Sequence, residues 1–76
     1  MLTPLAEVLP GQSCTIVSME ADRRMGLRLM ELGLIPGTSV RVVRLAPMRD
    51  PMELELRGYR LSIRHAEAEH VQVEVK

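Results

Sequence analysis

The apolar residues of this chain follow two different spacings, and only the stretch from Ala21 to Gly37 has a helical period. At 100° per residue its apolar positions fall within one stripe, with charged residues on the opposite side. The stripe contains Ala21, Met25, Leu29 and Leu32, and the far side contains Arg24, Arg28 and Glu31. The pattern predicts one amphipathic helix, around which the remaining segments, all typical of short strands, are organised.

Two stop signals follow this helix. Gly33 stands where a helix accepts a left-handed residue after its last turn, and Leu34 is placed to pack back on the helix, as in a Schellman cap. Pro36 and Gly37 then occupy the second and third positions of a type II turn. The helix is therefore predicted to end at Leu32, and the chain to turn directly into a strand.

The segment from Met52 to Ile63 alternates apolar and polar residues on either side of Arg57-Gly58. A two-residue loop there predicts a β-hairpin whose register pairs apolar with apolar residues on one face. The predicted partners are Leu56 with Tyr59, Leu54 with Leu61, Met52 with Ile63 and, on the other face, Glu55 with Arg60. The apolar residues of this register, Tyr59 included, are expected to be among the least accessible in the protein.

Three further strands complete the predicted sheet. Residues 12 to 19 and 39 to 45 are rich in β-branched residues, but their apolar positions change face midway, which predicts a bulge in each. Residues 71 to 75 alternate again. Helical turns are predicted after Thr3, as an N-cap, and over residues 64 to 70. The elements predict a mostly β fold, a small open SH3-like barrel of about five strands with one inserted α-helix and short helical turns.

The length of 76 residues and the composition narrow the range of functions. A chain this short forms one domain, residues 1–76, whose core only just outweighs chain entropy. Ten acidic and ten basic residues cancel, and Tyr59 is the only aromatic residue, which argues against a nucleic-acid-binding protein. The single Cys14 excludes an internal disulfide, and no apolar run approaches the roughly 18 residues of a membrane span. The sequence therefore indicates a soluble, cytoplasmic domain without membrane insertion.

Candidate chemistry is sparse. There is no phosphate-binding loop and no readable nucleophile motif, so the chain is predicted not to be an enzyme and to need no cofactor. One cluster offers ligand types suited to zinc or ferrous iron, namely His65, Glu67, Glu69 and His70. Their spacing is poor for one face of a regular helix, so a solvated polar turn is favoured. No metal site is predicted, and these four residues are the candidates that remain.

A protein-binding surface is the other hypothesis, and it begins with the loop from Ala46 to Pro51. This loop is bounded by prolines, cannot continue either flanking strand and should protrude. Its stiffness lowers the entropic cost of docking the residues at its tip, Met48, Arg49 and Asp50. The loop tip is therefore predicted to contact a partner.

The exposed side of the helix extends this predicted surface. Leu27 lies opposite the core stripe and is flanked by Arg23, Arg24 and Arg28. An apolar side chain surrounded by positive charge suits a partner with an acidic rim around an apolar pocket. The alternative is that these are ordinary solvated charges. Gly26, in the same helix, is interpreted as a packing glycine that lets another backbone approach.

Three segments in this order resemble a known family. They are the helix ending LMELGLIPG, the APMRDP loop and the C-terminal stretch LSIRHAEAEHVQV. Together they resemble the bacterial ferrous iron transport protein A family, FeoA, over nearly the whole chain. The resemblance implies an SH3-like barrel that works beside FeoB, a membrane permease for ferrous iron with a cytoplasmic GTP-binding domain. It implies an accessory role and carries over no catalytic residue.

Two functional hypotheses follow. The preferred one is a non-enzymatic cytosolic adaptor that binds or regulates the FeoB-type permease from its cytoplasmic side, without nucleic acid; weak homo-oligomers are left open. The alternative is a metal-responsive module that senses ferrous iron or zinc through the four candidate ligands. Stoichiometric binding of a transition metal ion to the isolated protein would distinguish the two.

Overall fold

The computed structural model describes residues 2–76, apart from the side chain of Arg49. Six strands form one sheet in the order β1-β6-β2-β3-β4-β5, with every neighbouring pair antiparallel. They are β1 (Thr3–Pro4), β2 (Ser13–Met19), β3 (Ser39–Leu45), β4 (Met52–Leu56), β5 (Tyr59–Ile63) and β6 (Val71–Val75). The mostly β, SH3-like fold is confirmed, and the short β1 brings the strands to six.

The described residues also form four short helical segments. Two α-helices are present, α1 (Arg23–Glu31) and α2 (His65–Ala68), and 3-10 turns cover Leu5–Glu7 and Pro47–Arg49. Within the described residues, neither helix has the length and apolar character that crossing a membrane would require. The first 3-10 turn confirms the predicted helical turn near the start of the chain. Thr3, however, is not its N-cap, because Thr3 lies in β1 opposite Val73.

Helix α1 is delimited by its own terminal residues. Asp22 is the N-cap, and its Oδ1 accepts a hydrogen bond from the Met25 N–H at 2.8 Å. At the other end Gly33 has φ of 104°, and the Leu34 N–H donates to the Leu29 carbonyl at 3.0 Å. This is the six-to-one bond of a Schellman motif. The helix ends at Glu31 with Leu32 as its C-cap, one residue before the predicted end, and it begins two residues later than the apolar stripe suggested.

The predicted turn and bulges are also present. A hydrogen bond of 3.1 Å closes the turn at Pro36-Gly37 that leads into β3. The pairing register shifts between Ile16 and Ser18 in β2 and between Val42 and Arg44 in β3. Such bulges bend a strand and increase its twist. They allow each strand to bury apolar residues in the same core although the alternation along the sequence is broken.

The hairpin of β4 and β5 has the predicted register. Its pairs are Met52 with Ile63, Leu54 with Leu61, Leu56 with Tyr59 and Glu55 with Arg60. Arg57 and Gly58 form the loop with φ of 48° and 82°. Positive φ at both loop positions is what a type I′ hairpin turn requires.

Two residues depart from the predicted core: Leu61 is only partly buried, and Tyr59 is 43% exposed. Its hydroxyl donates to the Leu32 carbonyl at 2.5 Å, so the ring lies over the C-terminal end of α1. The same hydroxyl fills the space into which a Cβ on Gly33 would project. A tyrosine hydroxyl needs a hydrogen-bond partner, and here that partner is at the surface. The prediction that Tyr59 is among the least accessible residues is therefore wrong.

The core is aliphatic and draws on every strand from β2 to β6. Fully buried residues include Leu5, Val8, Cys14, Ile16, Leu29, Leu34, Val40, Val42, Met52, Leu54, Ile63, Val71 and Val73. Met25, Leu32 and Leu61 are only partly buried and pack against this cluster from its margin. Helix α1 is thus attached to the sheet mainly through Leu29. Leu34, which follows the C-cap of the helix, packs into the same core.

Gly26 is expected to be replaceable by alanine with a gain in stability. Among the described residues, and apart from the two chain neighbours of Gly26 and the nearby backbone of α1, no atom lies within 4 Å of the position that a Cβ would take. The interpretation of Gly26 as a packing glycine is therefore wrong. Gly26→Ala should raise the free energy of unfolding by about 0.5 to 1 kcal/mol, because alanine loses less backbone entropy in a helix.

Thermal denaturation followed by circular dichroism would measure this gain. Gly33→Ala is the matched control, and it should lower the melting temperature, because Gly33 has a positive φ and faces the Tyr59 hydroxyl. A Gly26→Ala variant that melts below the wild type would contradict the prediction.

Candidate protein-binding site

The outer side of α1 carries two exposed apolar side chains. Leu27 is 52% exposed and Met30 is 47% exposed. The two residues are three positions apart and are therefore neighbours on the helix surface. Because buried Leu29 holds the opposite side of α1 against the sheet, both point away from the core. We call Leu27 and Met30 together the α1 ridge.

Met30 was not singled out by the sequence patterns, although the helical period contains the signal. Like Leu27, it falls outside the stripe of Met25, Leu29 and Leu32 when the helix is drawn at 100° per residue. A large apolar residue on the far side of an amphipathic helix is common when it is alone. A pair of them at a spacing of three forms a continuous apolar strip, and this is the feature that distinguishes the ridge.

The arginines around the ridge differ in what they contact. Arg28 forms an ion pair with Glu67 of α2. For Arg23 and Arg24, no carboxylate of the described residues lies within 4 Å of the guanidinium group. Of the predicted site residues, Arg24 lies on the ridge side of α1, whereas Arg28 lies next to the apolar stripe of the helix, where its ion pair gives it a structural role. The prediction that Arg28 lies on the far side of the helix is therefore wrong.

Helix α2 is held to α1 by Glu67, which is buried. Its Oε1 accepts a hydrogen bond from the Arg64 N–H at 2.8 Å, and its Oε2 pairs with Arg28. The first contact caps the start of α2, since the carboxylate satisfies a backbone donor that the helix leaves unpaired. Glu67 therefore serves as a structural link, and its carboxylate is already engaged.

The loop between β3 and β4 protrudes, as predicted. Met48 is 94% exposed and has φ of 68°. Asp50 turns back toward the protein, and its Oδ1 accepts a hydrogen bond from the His65 N–H at 3.2 Å. The third predicted tip residue, Arg49, has a side chain that lies outside the described residues. The loop tip therefore exposes Met48 to solvent, while Asp50 fixes the loop against the start of α2.

The loop and α1 are connected through α2. Asp50 contacts the first residue of α2, and Glu67, two residues further along that helix, contacts Arg28 of α1. A cavity of about 310 Å³ lies beside the loop and is lined by Asp50, Pro51 and Arg64. The loop and α1 thus both contact one short helix.

The four candidate metal ligands are not gathered around one point. In the part of the chain that the structure describes, no three His, Cys, Asp or Glu side chains come close enough to share an ion. The Nδ1 atom of His70 lies 2.8 Å from the Glu20 carbonyl, and Glu67 is paired with Arg28. Burial raises the pKa of the Cys14 thiol, so this residue stays protonated near neutral pH. His65 and Glu69 therefore have no third candidate metal ligand beside them among the described residues.

The fold and the surface together define a class: a small SH3-like β domain with a helix inserted between its first two long strands and an exposed apolar ridge on that helix. Residues 3–75 match the model of the FeoA domain, and the chain belongs to this family. The family is linked to ferrous iron transport. The resemblance identified from LMELGLIPG, APMRDP and LSIRHAEAEHVQV is therefore confirmed.

Solved structures agree with this assignment. The fold is similar to the crystal structure of an iron uptake regulatory protein, FeoA, with a TM-score of 0.92, 29% identity and coverage of 100% of both chains. It is also similar to Stenotrophomonas maltophilia FeoA complexed with zinc, with a TM-score of 0.79 and 29% identity over 97% of this chain and 89% of that one. That protein is described as a prokaryotic SH3 domain protein.

A curated relative links the domain to the permease. It is an Fe(2+) transport protein A/Fe(2+) transporter FeoB fusion protein of Porphyromonas gingivalis, 32% identical over 71 residues. The match covers 93% of this chain and 8% of the fusion protein. The chain therefore corresponds to a small part of that relative, in which an FeoA segment and FeoB are joined in one polypeptide.

Proposed function

We propose that this protein is a non-enzymatic accessory domain of ferrous iron uptake that binds an FeoB-type permease at its cytoplasmic side and regulates it. The observation that supports this most is the P. gingivalis relative, in which the FeoA segment and FeoB share one chain. Domains joined in this way meet at a high effective concentration. Such an arrangement is expected when contact between the two matters for function.

We place the contact on the α1 ridge. Leu27 and Met30 offer apolar area on a helix whose orientation is set by the buried core, so little conformational entropy is lost on docking. Arg23 and Arg24 supply positive charge at the side of the ridge. This combination fits an apolar pocket with an acidic rim on the partner. Met48 supplies a second, adaptable apolar contact from the loop.

Replacing both ridge residues is expected to abolish most of the binding. In the double variant Leu27→Glu and Met30→Glu, two apolar contacts are lost and two carboxylates face an acidic rim. Each buried apolar side chain of this size contributes about 1.5 to 3 kcal/mol, so the affinity for the permease should fall at least tenfold, which is about 1.4 kcal/mol. Biolayer interferometry with an FeoB-type permease immobilised in nanodiscs would measure the change.

The chain offers a matched control for this experiment. Leu9 is 51% exposed and lies outside α1, α2 and the loop, so Leu9→Glu should bind like the wild type. Met48→Glu should produce a smaller loss than the ridge variant. If the ridge variant retains the wild-type circular dichroism spectrum and the wild-type affinity, the contact lies elsewhere on the domain.

Metal sensing is the alternative function, and the S. maltophilia relative is complexed with zinc. In this chain, however, Glu67 and His70 already make structural contacts, with Arg28 and with the Glu20 carbonyl. Binding an ion through these two groups would require both contacts to break. The adaptor role needs no such rearrangement, and we prefer it for this reason.

A further inference from the structure

Strand β5 is an edge strand, because the sheet order places it beside β4 alone. In a hairpin with a two-residue loop, the two residues that flank the loop exchange backbone hydrogen bonds. Here these residues are Leu56 and Tyr59, and the bonds recur at every second residue along the ladder. The N–H and C=O groups of Arg60 and Ser62 therefore point away from β4. Among the described residues, no backbone hydrogen bond outside the ladder engages these groups.

The free edge has defined ends. At Arg64 the N–H donates to Glu67, and the carbonyl accepts from the N–H groups of Glu67 and Ala68 at 3.0 Å each. At the other end, the Tyr59 ring is held over α1 by its hydroxyl. Between these points Arg60 and Ser62 are both exposed. An added strand could therefore form an antiparallel ladder with both residues.

Arginines outnumber carboxylates along this edge. Arg57, Arg60 and Arg64 are all exposed and stand before, within and after β5. Arg60 lies 3.9 Å from Glu53 and 3.7 Å from Glu55, and exposed ion pairs with such long distances contribute little. For Arg57 and Arg64, no described carboxylate lies within 4 Å. The edge therefore presents unpaired backbone groups in a positively charged setting.

A second copy of this chain fits the edge poorly. If two β5 strands paired antiparallel about Leu61, Arg60 of one copy would lie opposite Ser62 of the other, and this pair brings no like charges together. The same register would bring Arg57 of one copy near Arg64 of the other at both ends, beyond the paired strands, and such juxtaposed like charges oppose association. An extended segment rich in carboxylates would instead meet the guanidinium groups of Arg57, Arg60 and Arg64.

We propose that the β5 edge binds an extended acidic segment of a partner protein by β-strand addition. Backbone hydrogen bonds to Arg60 and Ser62 provide the pairing. Carboxylates opposite these residues meet the arginines, and alternate β-branched side chains lie on the face of half-buried Leu61. This site shares no residue with the α1 ridge, so the proposal does not depend on the contact proposed for the permease.

The test uses the protein with an acetylated, amidated heptapeptide of alternating Glu and Val. Titration followed by ¹H–¹⁵N NMR should give saturable shifts that are largest at Arg60 and Ser62. A Lys/Val peptide should bind at least tenfold more weakly. Ser62→Pro should weaken binding at least tenfold, because proline removes an outward N–H that the ladder with β4 does not use. Ser62→Thr keeps this N–H and should bind like the wild type.

A second modification keeps the test valid if Ser62→Pro is unfolded. N-methylation of the peptide at its Glu residues blocks the bonds to Arg60 and Ser62 and should abolish binding, whereas N-methylation at its Val residues should not. The proposal is overturned if no saturable shift occurs at millimolar peptide, if the Lys/Val peptide binds as well, or if methylation at Glu has no effect. Shifts at β5 on raising the protein concentration alone would identify a second copy as the occupant and would also overturn it.

Discussion

Leu29→Ala is expected to lower the free energy of unfolding by about 2 to 5 kcal/mol, the range for truncating a buried leucine. Leu29 is fully buried and is the main contact between α1 and the sheet, and its carbonyl accepts the capping bond from Leu34. Domains have a total stability of about 5 to 15 kcal/mol, and one this small lies near the lower end. The variant should therefore be partly unfolded at physiological temperature.

Urea denaturation followed by circular dichroism would measure this loss, with Leu61→Ala as the control. Leu61 lies on the apolar face predicted for the hairpin, but it is only half-buried. Its truncation should therefore cost less than about 2 kcal/mol. Equal midpoints for wild type and Leu29→Ala would show that α1 is not anchored as described. A larger loss for Leu61→Ala than for Leu29→Ala would reverse the assignment of the core.

Glu67→Ala is expected to lower the free energy of unfolding by about 1 to 3 kcal/mol, because it leaves a helix donor and a guanidinium group without their partner. The buried carboxylate both accepts from the Arg64 N–H and pairs with Arg28. Glu67→Gln should cost less, since its amide oxygen can still accept the capping bond. Arg28 is largely exposed, so solvent screening keeps the contribution of the ion pair at the lower end of this range.

Glu69 provides the matched control for this measurement. It lies next to α2 and is exposed, so Glu69→Ala should change stability by less than about 0.5 kcal/mol. A double-mutant cycle with Arg28→Ala and Glu67→Ala would isolate the coupling between the two side chains. Equal effects of Glu67→Ala and Glu69→Ala would argue that the contact between α1 and α2 contributes nothing.

The Glu67 contact also affects how partner binding should be tested. Because α2 contacts the loop through Asp50 and α1 through Glu67, loss of this carboxylate would release α1 from α2. A binding defect in Arg28→Ala could then reflect a displaced helix instead of a lost contact with the partner. Leu27 and Met30 are better positions for substitution, because neither supports the fold.

The elements that could be predicted from the sequence are those whose geometry is set within a few residues. Gly33 and Leu34 end α1, Pro36-Gly37 closes the turn into β3, and Arg57-Gly58 fixes the hairpin register. In each case a residue with a restricted or unusually free backbone determines the local path of the chain. The same local chemistry made the loop before Pro51 recognisable as a protrusion.

Other features depended on contacts between residues far apart in the sequence, and only the tertiary structure decided them. Tyr59 has the apolar alternation of a core residue, but its hydroxyl finds the Leu32 carbonyl, 27 positions away, at the surface. Glu67 has the chemistry of a metal ligand, but its carboxylate is paired with the guanidinium group of Arg28, which balances its charge. Met30 completes an exposed ridge that no local pattern required. Burial and charge pairing depend on what the fold places opposite a side chain, and the periodicity of one segment contains no information about its neighbours.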